Sequence, residues 1–433
     1  MGSLLHHVVL IRGAVPAALG AASAIALATA LARRVRPGRL VGALVVAAAI
    51  VAVMRVGVAG AVDVSRIPRS FYLWAAIPLF ALGAVTSMPR PHARWRWAVG
   101  GFAVLLAAGF AADEVNSWFA YFPTAADLAA QPVPGEVPAA PVLARLKDEQ
   151  PRNAPPVTDG ALLRLDIVAT TSGFRHRAAY VWVPPAAFDR GVDPLPVVVM
   201  LAGTPGAPDN LLRAVDTVDL AKRYAMLHGG RAPLLVFPDH NGSFGADTEC
   251  VDGPRGDAET YLTVDVPAFL RATFPVTPGR WGIAGFSEGG TCALTLSLRH
   301  PGLFSTYLDI AGDLRPNLGM SARQTSLTVS RLFGGSRQAW SEHDPVTLLS
   351  NGRFDGVAGR MVAGRSDRPA MEAARTLDPM ARKAGIESDI AFVNGHHSFA
   401  TASRALTRNF DWLARRLEPV PADLLPAEPR FAV

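Results

Sequence analysis

The chain has 433 residues, a formal net charge of +6 and a hydrophobic share of 50%. This length suits two or three domains, and the hydrophobic share is high for a soluble protein and indicates membrane-embedded segments. Arginine carries nearly all of the positive charge, and no basic patch with interleaved aromatic residues is present, which argues against nucleic-acid binding.

Residues 1–112 contain four apolar segments, which are Gly13–Ala32, Leu40–Val62, Ser70–Pro89 and Trp97–Ala112. About 20 apolar residues are needed to cross a bilayer as a helix. The first and third segments meet this length, and the fourth is short. The second contains Arg55, which we interpret as an anchor whose charge reaches the outer membrane surface. The sequence therefore predicts an all-α transmembrane bundle of about four helices.

The orientation of this bundle follows from its connecting links. The links after the first and third segments are rich in arginine (Arg33, Arg34, Arg36 and Arg39; Arg90, Arg94 and Arg96). The link after the second segment has only Asp63, Arg66 and Arg69. The positive-inside rule places the two arginine-rich links in the cytoplasm. Everything after Ala112 is then predicted to lie outside the cytoplasm, on a multi-pass protein of the plasma membrane.

Residues 113–160 combine an amphipathic, aromatic segment with a proline-rich stretch, which predicts an interfacial segment followed by a semi-extended linker without a core element. From residue 161 to 420, short β-rich runs alternate with helical patterns, and residues 421–433 form a C-terminal tail. The predicted strands are Leu162–Thr170 and Arg177–Val183, which are antiparallel, then Pro196–Leu201, Pro233–Phe237, Arg280–Ala284, Thr306–Ile310, Gly359–Val362 and Asp389–Val393. The predicted helices are Glu259–Thr273, Gly289–Leu298, Ala370–Ala384 and Ala402–Leu417. This alternation predicts an α/β domain with a mostly parallel central sheet and helices on both faces.

Gly285-Phe-Ser287-Glu-Gly289 matches the pattern G-x-S-x-G and lies between a predicted strand and a predicted helix. In that context the glycines permit a tight turn that raises the serine above the sheet, next to a helix N-terminus. We therefore predict that Ser287 is a catalytic nucleophile. A serine hydroxyl needs a base, and His397 follows the last strand, with His396 as its neighbour.

The acid that orients this histidine is expected after the preceding strand, where Asp367 lies, and Asp378 further along the chain is the alternative. An oxyanion hole needs two amide donors, for which we predict the backbone N–H groups of Glu288 and Thr204, with Gly203 as the alternative to Thr204. Pro205 has no amide hydrogen. The polar loop at residues 248–255 either borders the site or is structural. Sequence alone leaves open whether Cys250 and Cys292 form a disulfide.

Several stretches resemble the putative-esterase branch of the α/β-hydrolases, which includes the esterase D type, feruloyl esterases and secreted mycolyltransferases. They are Gly285–Gly290, Phe237–Asp239, His300–Phe304 and Gly395–Phe399, within a resemblance that covers Leu162 to Leu417. Membrane-anchored relatives look similar to the whole chain. The resemblance implies an α/β-hydrolase fold and ester hydrolysis or acyl transfer through an acyl-serine, with no metal or organic cofactor. The mycolyltransferases differ in having Trp where Phe399 stands, and their acid lies nearer Asp378.

These observations predict a membrane-anchored serine esterase that acts on lipid or cell-envelope esters at the bilayer. The first alternative is an acyltransferase that moves an acyl group to a sugar or envelope acceptor. The second is a non-catalytic membrane protein that uses a hydrolase-like domain for binding.

Overall fold

The computed structural model describes residues 8–11, 14–31, 35–59, 68–88, 94–129, 132–147, 157–189, 191–318 and 325–418. The predicted tail at residues 421–433 lies outside this part of the chain. So do Arg33, Arg34, Asp63, Arg66 and Arg90 of the predicted membrane links.

Four long apolar helices come first, α1 (Ala14–Leu31), α2 (Pro37–Ala59), α3 (Arg69–Thr86) and α4 (Arg94–Phe119). By length and composition, all four are able to cross a membrane. α4 packs against α1 and α3, and α2 packs against α3. Small residues allow this close approach: a Cβ on Gly100 would lie 2.9 Å from a Val85 methyl group. The guanidinium of Arg55 lies 5.4 Å from the centre of the Tyr72 ring.

The fourth helix is longer than the sequence predicts. It continues past Ala112 to Phe119 and has 26 residues, so the segment at 113–119 is helical and belongs to α4. No proline or glycine interrupts the chain between Gly109 and Pro123, and therefore nothing in the backbone ends the helix at Ala112. The prediction of a short fourth segment is wrong for this reason.

An eight-stranded sheet follows. Its strands are β1 (Ala161–Leu165), β2 (Ala179–Val183), β3 (Val197–Leu201), β4 (Leu234–Phe237), β7 (Trp281–Phe286), β8 (Phe304–Ile310), β9 (Ala358–Gly364) and β10 (Glu387–Val393); β5 (Asp252–Gly253) and β6 (Gly256–Asp257) form a separate hairpin. The order in the sheet is β1-β2-β4-β3-β7-β8-β9-β10. β1–β2 and β2–β4 are antiparallel pairs, and every other neighbouring pair is parallel, which confirms the predicted sheet. The predicted first strand was too long, since it ends at Leu165.

The remaining helices are α5 (Ala125–Leu128), α6 (Ala139–Leu146), α7 (Asn210–Arg213), α8 (Thr217–Leu227), α9 (Ala258–Thr260), α10 (Val266–Thr273), α11 (Glu288–Arg299), α12 (Thr325–Leu332), α13 (Arg337–Ser341), α14 (Pro345–Asn351), α15 (Arg368–Lys383) and α16 (Phe399–Leu417). A 3₁₀ turn (Pro185–Phe188) follows β2, and a π-helical turn (Tyr261–Asp265) joins α9 to α10, within the predicted helix Glu259–Thr273. The prediction omitted α5 to α8 and α12 to α14.

Helices cover both faces of the sheet, as predicted. Side chains of a strand point alternately to its two faces. Val197 and Val199 of β3 accordingly belong to one core cluster, with residues of α10, α11 and α15, while Val198 and Met200 belong to a second cluster with residues of α8 and α16.

The proline-rich stretch is more ordered than predicted. α6 packs Val142 and Leu143 against the core beside β1, and the amide of Val137 donates a hydrogen bond to the carbonyl oxygen of Leu162 (2.9 Å). The prediction of a linker without a core element is therefore wrong for residues 132–147. Residues 148–156 lie outside the described part of the chain.

Cys250 and Cys292 form a disulfide, which answers the question that the sequence left open. The bridge ties the loop between β4 and β5 to α11, across a sequence separation of 42 residues.

We expect the double substitution Cys250→Ala and Cys292→Ala to lower the free energy of unfolding by ~4 kcal/mol, because the unfolded chain gains the entropy of an open loop. In thermal unfolding of the detergent-solubilised protein this corresponds to a decrease of Tm by roughly 10 °C. A reductant should lower the Tm of the wild type similarly and leave the double variant unchanged. Equal Tm values for all samples would contradict the prediction.

Candidate active site

Ser287 lies in the turn between β7 and α11, as the motif predicts. Its backbone has φ 60° and ψ −121°, a conformation that side-chain-bearing residues rarely adopt and that marks a strained turn. The two flanking glycines are required by close packing. A Cβ on Gly285 would lie 2.0 Å from the carbonyl oxygen of Gly289, and a Cβ on Gly289 would lie 2.4 Å from the carbonyl oxygen of Ala202. The turn therefore closes only with glycine at both positions, and it presents the serine hydroxyl at the edge of the sheet.

Ser287, His397 and Asp367 form one chain of hydrogen bonds. Ser287 Oγ lies 2.8 Å from His397 Nε2, and His397 Nδ1 lies 2.7 Å from Asp367 Oδ2. The Asp367 side chain is 6% exposed and that of His397 is 31% exposed. β9 and β10 are parallel neighbours, with Gly364 opposite Val393, so the loops that follow them meet at one edge of the sheet. The structure thus brings together the three residues that the sequence selected as nucleophile, base and acid.

Asp378 lies in the second half of α15 and has other partners. Its Oδ1 accepts a hydrogen bond from Ser388 Oγ (2.8 Å), and its Oδ2 lies 3.1 Å from Arg382 Nε. Of the two candidate acids, Asp367 is the one placed against the histidine.

The loop that follows β3 passes directly beside the serine. A Cβ on Gly203 would lie 2.8 Å from Ser287 Cβ, and Thr204 lines the same cleft as Ser287 and Glu288. Glu288 is the first residue of α11, where backbone N–H groups have no partner within the helix. Both predicted oxyanion donors therefore belong to residues at the nucleophile, and their role as donors stays a prediction.

The side chain of Glu288 is buried and joins these two segments, which the sequence did not predict. Its Oε2 accepts hydrogen bonds from Thr204 Oγ1 and from Asn241 Nδ2 (2.7 Å), and it lies 3.5 Å from His240 Nε2. Burial acts to raise the pKa of Glu288, but His240 and the hydrogen bonds outweigh it, so that the pKa lies below its usual value. The anionic side chain thereby fixes the Thr204 loop to the first turn of α11. The only signal of this Glu288 network in the sequence was the polar stretch that follows β4.

The cleft above Ser287 has a volume of about 610 Å³ and is lined by two chemically different groups of residues, which we call its aromatic end and its polar end. One end is aromatic and includes Trp118 and Phe119 from the last turn of α4, with Pro68 just before α3. The other end is polar and is lined by Asp247, Glu249, Asp313 and Asn317. His396 lines the cleft as well, and its ring stacks on the Trp118 ring with centroids 4.0 Å apart. Residues of the predicted membrane helices therefore form part of the cleft wall.

Comparison with known proteins identifies the same region. The model of a family described as Putative esterase matches residues 177–413. An uncharacterized protein of Corynebacterium glutamicum is 32% identical over 364 residues, covering 81% of this chain and 82% of that protein. A ferulic acid esterase structure superposes with a TM-score of 0.51 at 16% identity, covering 60% of this chain and 100% of that one. An S-formylglutathione hydrolase from Agrobacterium tumefaciens gives a TM-score of 0.49 at 21% identity, covering 60% and 97%.

Proposed function

The chain belongs to the Putative esterase family, and on that premise we propose that it is a membrane-anchored serine esterase that cleaves lipid or cell-envelope esters through an acyl-serine. The observation that carries this proposal is the hydrogen-bonded chain from Ser287 through His397 to the buried Asp367. Nucleophile, base and orienting acid in this order activate a serine that would otherwise be a poor nucleophile.

The reaction follows from these positions. Nε2 of His397 accepts the proton of Ser287 as Oγ attacks the ester carbonyl carbon, and Asp367 holds the imidazole and stabilises its protonated form. The amides of Glu288 and Thr204 donate hydrogen bonds to the oxyanion that forms. His397 then returns the proton to the departing alcohol. A water molecule, deprotonated by the same histidine, then attacks the acyl carbon, and His397 returns this proton to Ser287 Oγ as the bond to the serine breaks and the acid leaves.

We assign the catalytic region to the outside of the cytoplasm. Arg36, Arg39, Arg94 and Arg96 flank the predicted cytoplasmic ends of the helices, as the positive-inside rule requires. The Cys250–Cys292 disulfide supports this assignment, because such bridges persist in oxidising compartments. Accessibility of an introduced surface cysteine, such as Ser350→Cys at an exposed position of α14, to a membrane-impermeant thiol reagent on intact cells tests the orientation. Labelling only after lysis would contradict it.

A lipid substrate is supported by the aromatic end of the cleft, because Trp118 and Phe119 belong to a helix that is able to cross the membrane. An acyl chain would then reach Ser287 from the bilayer along these side chains. We expect Trp118→Ala to lower kcat/KM for a palmitoyl ester about tenfold, because an apolar contact worth ~1.5 kcal/mol is lost.

The control for this prediction uses chain length and position. A butyryl ester, which has far less apolar surface to place on Trp118, should change by less than about twofold. Trp95→Ala, at the opposite end of α4 and 52% exposed, should affect neither ester. Equal losses for the long and short esters in Trp118→Ala would show that the residue does not contact the acyl chain.

The proposal as a whole is tested by treating the full-length, detergent-solubilised protein with a fluorophosphonate probe and locating the adduct by mass spectrometry. We expect a single adduct on Ser287. Folded protein without an adduct would favour the non-catalytic membrane protein instead. An acyltransferase would form the same acyl-serine, and it is distinguished by the transfer of a labelled acyl group to a sugar in preference to water.

A further inference from the structure

The polar end of the cleft is built by the loop between β4 and β5. Glu249 and Cys250 of this loop have φ angles of 48° and 54°, in the left-handed region that residues other than glycine rarely occupy. The disulfide from Cys250 to Cys292 holds the loop against α11, the helix that begins next to Ser287. The amide of Glu249 also donates a hydrogen bond to Glu288 Oε1 (3.2 Å). The Glu249 side chain is thus held firmly at the cleft wall.

One oxygen of this carboxyl group has no partner. Glu249 is 3% exposed and lines the cleft, and its Oε1 accepts a hydrogen bond from the amide of Asn317 (2.8 Å). Within the described part of the chain, Oε2 has no hydrogen-bond partner, and no cationic side chain forms an ion pair with Glu249. A buried acceptor without a partner is energetically unfavourable, so this oxygen is available to a ligand that donates a hydrogen bond.

The surrounding charge selects the kind of donor. Burial, then repulsion from the carboxylates of Asp247 and Glu288, raises the pKa of Glu249 well above its usual value and so disfavours the charged form of this carboxyl group. The cations beside these carboxylates are engaged: His240 lies against Glu288, and Arg255 donates a hydrogen bond to the carbonyl oxygen of Asp247. Arg368, which is exposed, also lines the cleft, next to Asp367. A positively charged donor would offset both effects and favour the ionised carboxylate of Glu249, whereas a neutral hydroxyl group would not. The described residues contain no cluster suited to a metal ion.

We propose that Oε2 of Glu249 binds an ammonium group of the ester substrate. This inference rests on the proposed esterase function and adds a specificity-determining residue to it. The ammonium group belongs either to the acyl part, as in an amino-acid ester, or to the alcohol part of the substrate. In both cases the charged nitrogen is bound at the polar end of the cleft, while the apolar portion of the substrate lies along Trp118 at the other end.

Two matched pairs of esters test this proposal and separate the two sources. The first pair is an L-alanyl and an isobutyryl ester of one alcohol, and the second is a dimethylaminoethyl and an isopentyl ester of one acid. Each pair exchanges a charged nitrogen for carbon at nearly constant size. Each kcat/KM value, measured at neutral pH, is divided by the rate of uncatalysed hydrolysis, because an ammonium group also activates a nearby carbonyl. We expect the wild type to prefer the ammonium ester of one pair by about tenfold or more.

Glu249→Gln should reduce this preference to about onefold to twofold, since the amide keeps the shape and loses the charge. Asp257→Asn is the matched control, because Asp257 is an exposed residue of the same region whose side chain makes no capping hydrogen bond, and it should keep the preference. A wild type that prefers neither ammonium ester, or a preference that survives in Glu249→Gln, would overturn the proposal.

The fluorophosphonate adduct separates this test from that of the esterase function. Wild-type protein without an adduct means that the esterase proposal itself fails, whereas an adduct without an ammonium preference means that only the Glu249 site fails. If Glu249→Gln forms no adduct, protection of wild-type Ser287 against the probe by alkylammonium ions and by isosteric alcohols takes its place. Stronger protection by the ammonium ions supports the site, and equal protection overturns it.

Discussion

Replacement of Ser287 by alanine is expected to lower kcat for ester hydrolysis by at least about 10⁴-fold. The substitution removes the oxygen that lies 2.8 Å from His397 Nε2, and with it the acyl-serine route. The oxyanion donors and the cleft remain, so a small residual rate above the uncatalysed one is expected. The measurement is the hydrolysis rate in detergent micelles at saturating substrate.

The matched control for this result is Ser366→Ala. Ser366 lines the same cleft and lies next to Asp367, but it is not part of the hydrogen-bonded chain. Its replacement should leave kcat within about twofold of the wild type. Alanine and serine both carry a Cβ and meet the same restriction at a φ of 60°, so the substitution adds no backbone strain. A thermal unfolding scan should therefore show that Ser287→Ala is folded. Retention of more than about one hundredth of the wild-type kcat by folded Ser287→Ala would rule out this nucleophile.

Asp367→Asn is expected to lower kcat by about 10⁴-fold while the protein stays folded. Asp367 Oδ2 accepts the hydrogen bond of His397 Nδ1–H, which leaves Nε2 free to take the proton of the serine. An asparagine in the same place can donate its own N–H to Nδ1, which favours the tautomer with the proton on Nε2, and it stabilises the protonated imidazole less well. The effect should therefore be in kcat, with a much smaller change in KM.

Asp378→Asn provides the comparison that decides between the two candidate acids. It changes a carboxylate of similar burial in α15, the helix that begins just after Asp367, and this carboxylate contacts Ser388 and Arg382 instead of His397. We expect its kcat to remain within about threefold of the wild type, with at most a modest decrease of Tm from a weakened ion pair. The reverse pattern, with kcat lost in Asp378→Asn and kept in Asp367→Asn, would assign the acid to Asp378.

The order of elements and the nucleophile were predictable from the sequence because their signals are local. Four apolar runs in the first part of the chain predict long apolar helices, since backbone groups in a bilayer must form their hydrogen bonds within one segment. Gly285, Ser287 and Gly289 predict a tight turn, because the steric conflict that excludes a Cβ at Gly285 arises with Gly289, four residues along the chain. The alternation of short apolar runs with helical patterns predicts the parallel sheet for the same local reason.

Other features depend on residues that are distant in the sequence and were decided only by the tertiary structure. Asp367 and Asp378 follow the same strand, and only the position of the His397 loop at the end of the neighbouring strand separates them. The disulfide required Cys250 and Cys292 to come within 5.7 Å between Cα atoms, across loops whose path no local pattern encodes. The hydrogen bonds of Glu288 and Glu249 likewise join three separate loops, which contain Thr204, Asn241 and Asn317.

The sequence by itself therefore determined the fold class, the membrane-type helices and a short list of reactive residues, because periodicity and composition act over a few residues at a time. The tertiary structure alone decided which acid contacts the base, and that Trp118 at the end of α4 forms part of the cleft. Such contacts depend on how strands, loops and helices pack in three dimensions. Side-chain packing between distant segments leaves no periodic trace in the sequence of either one.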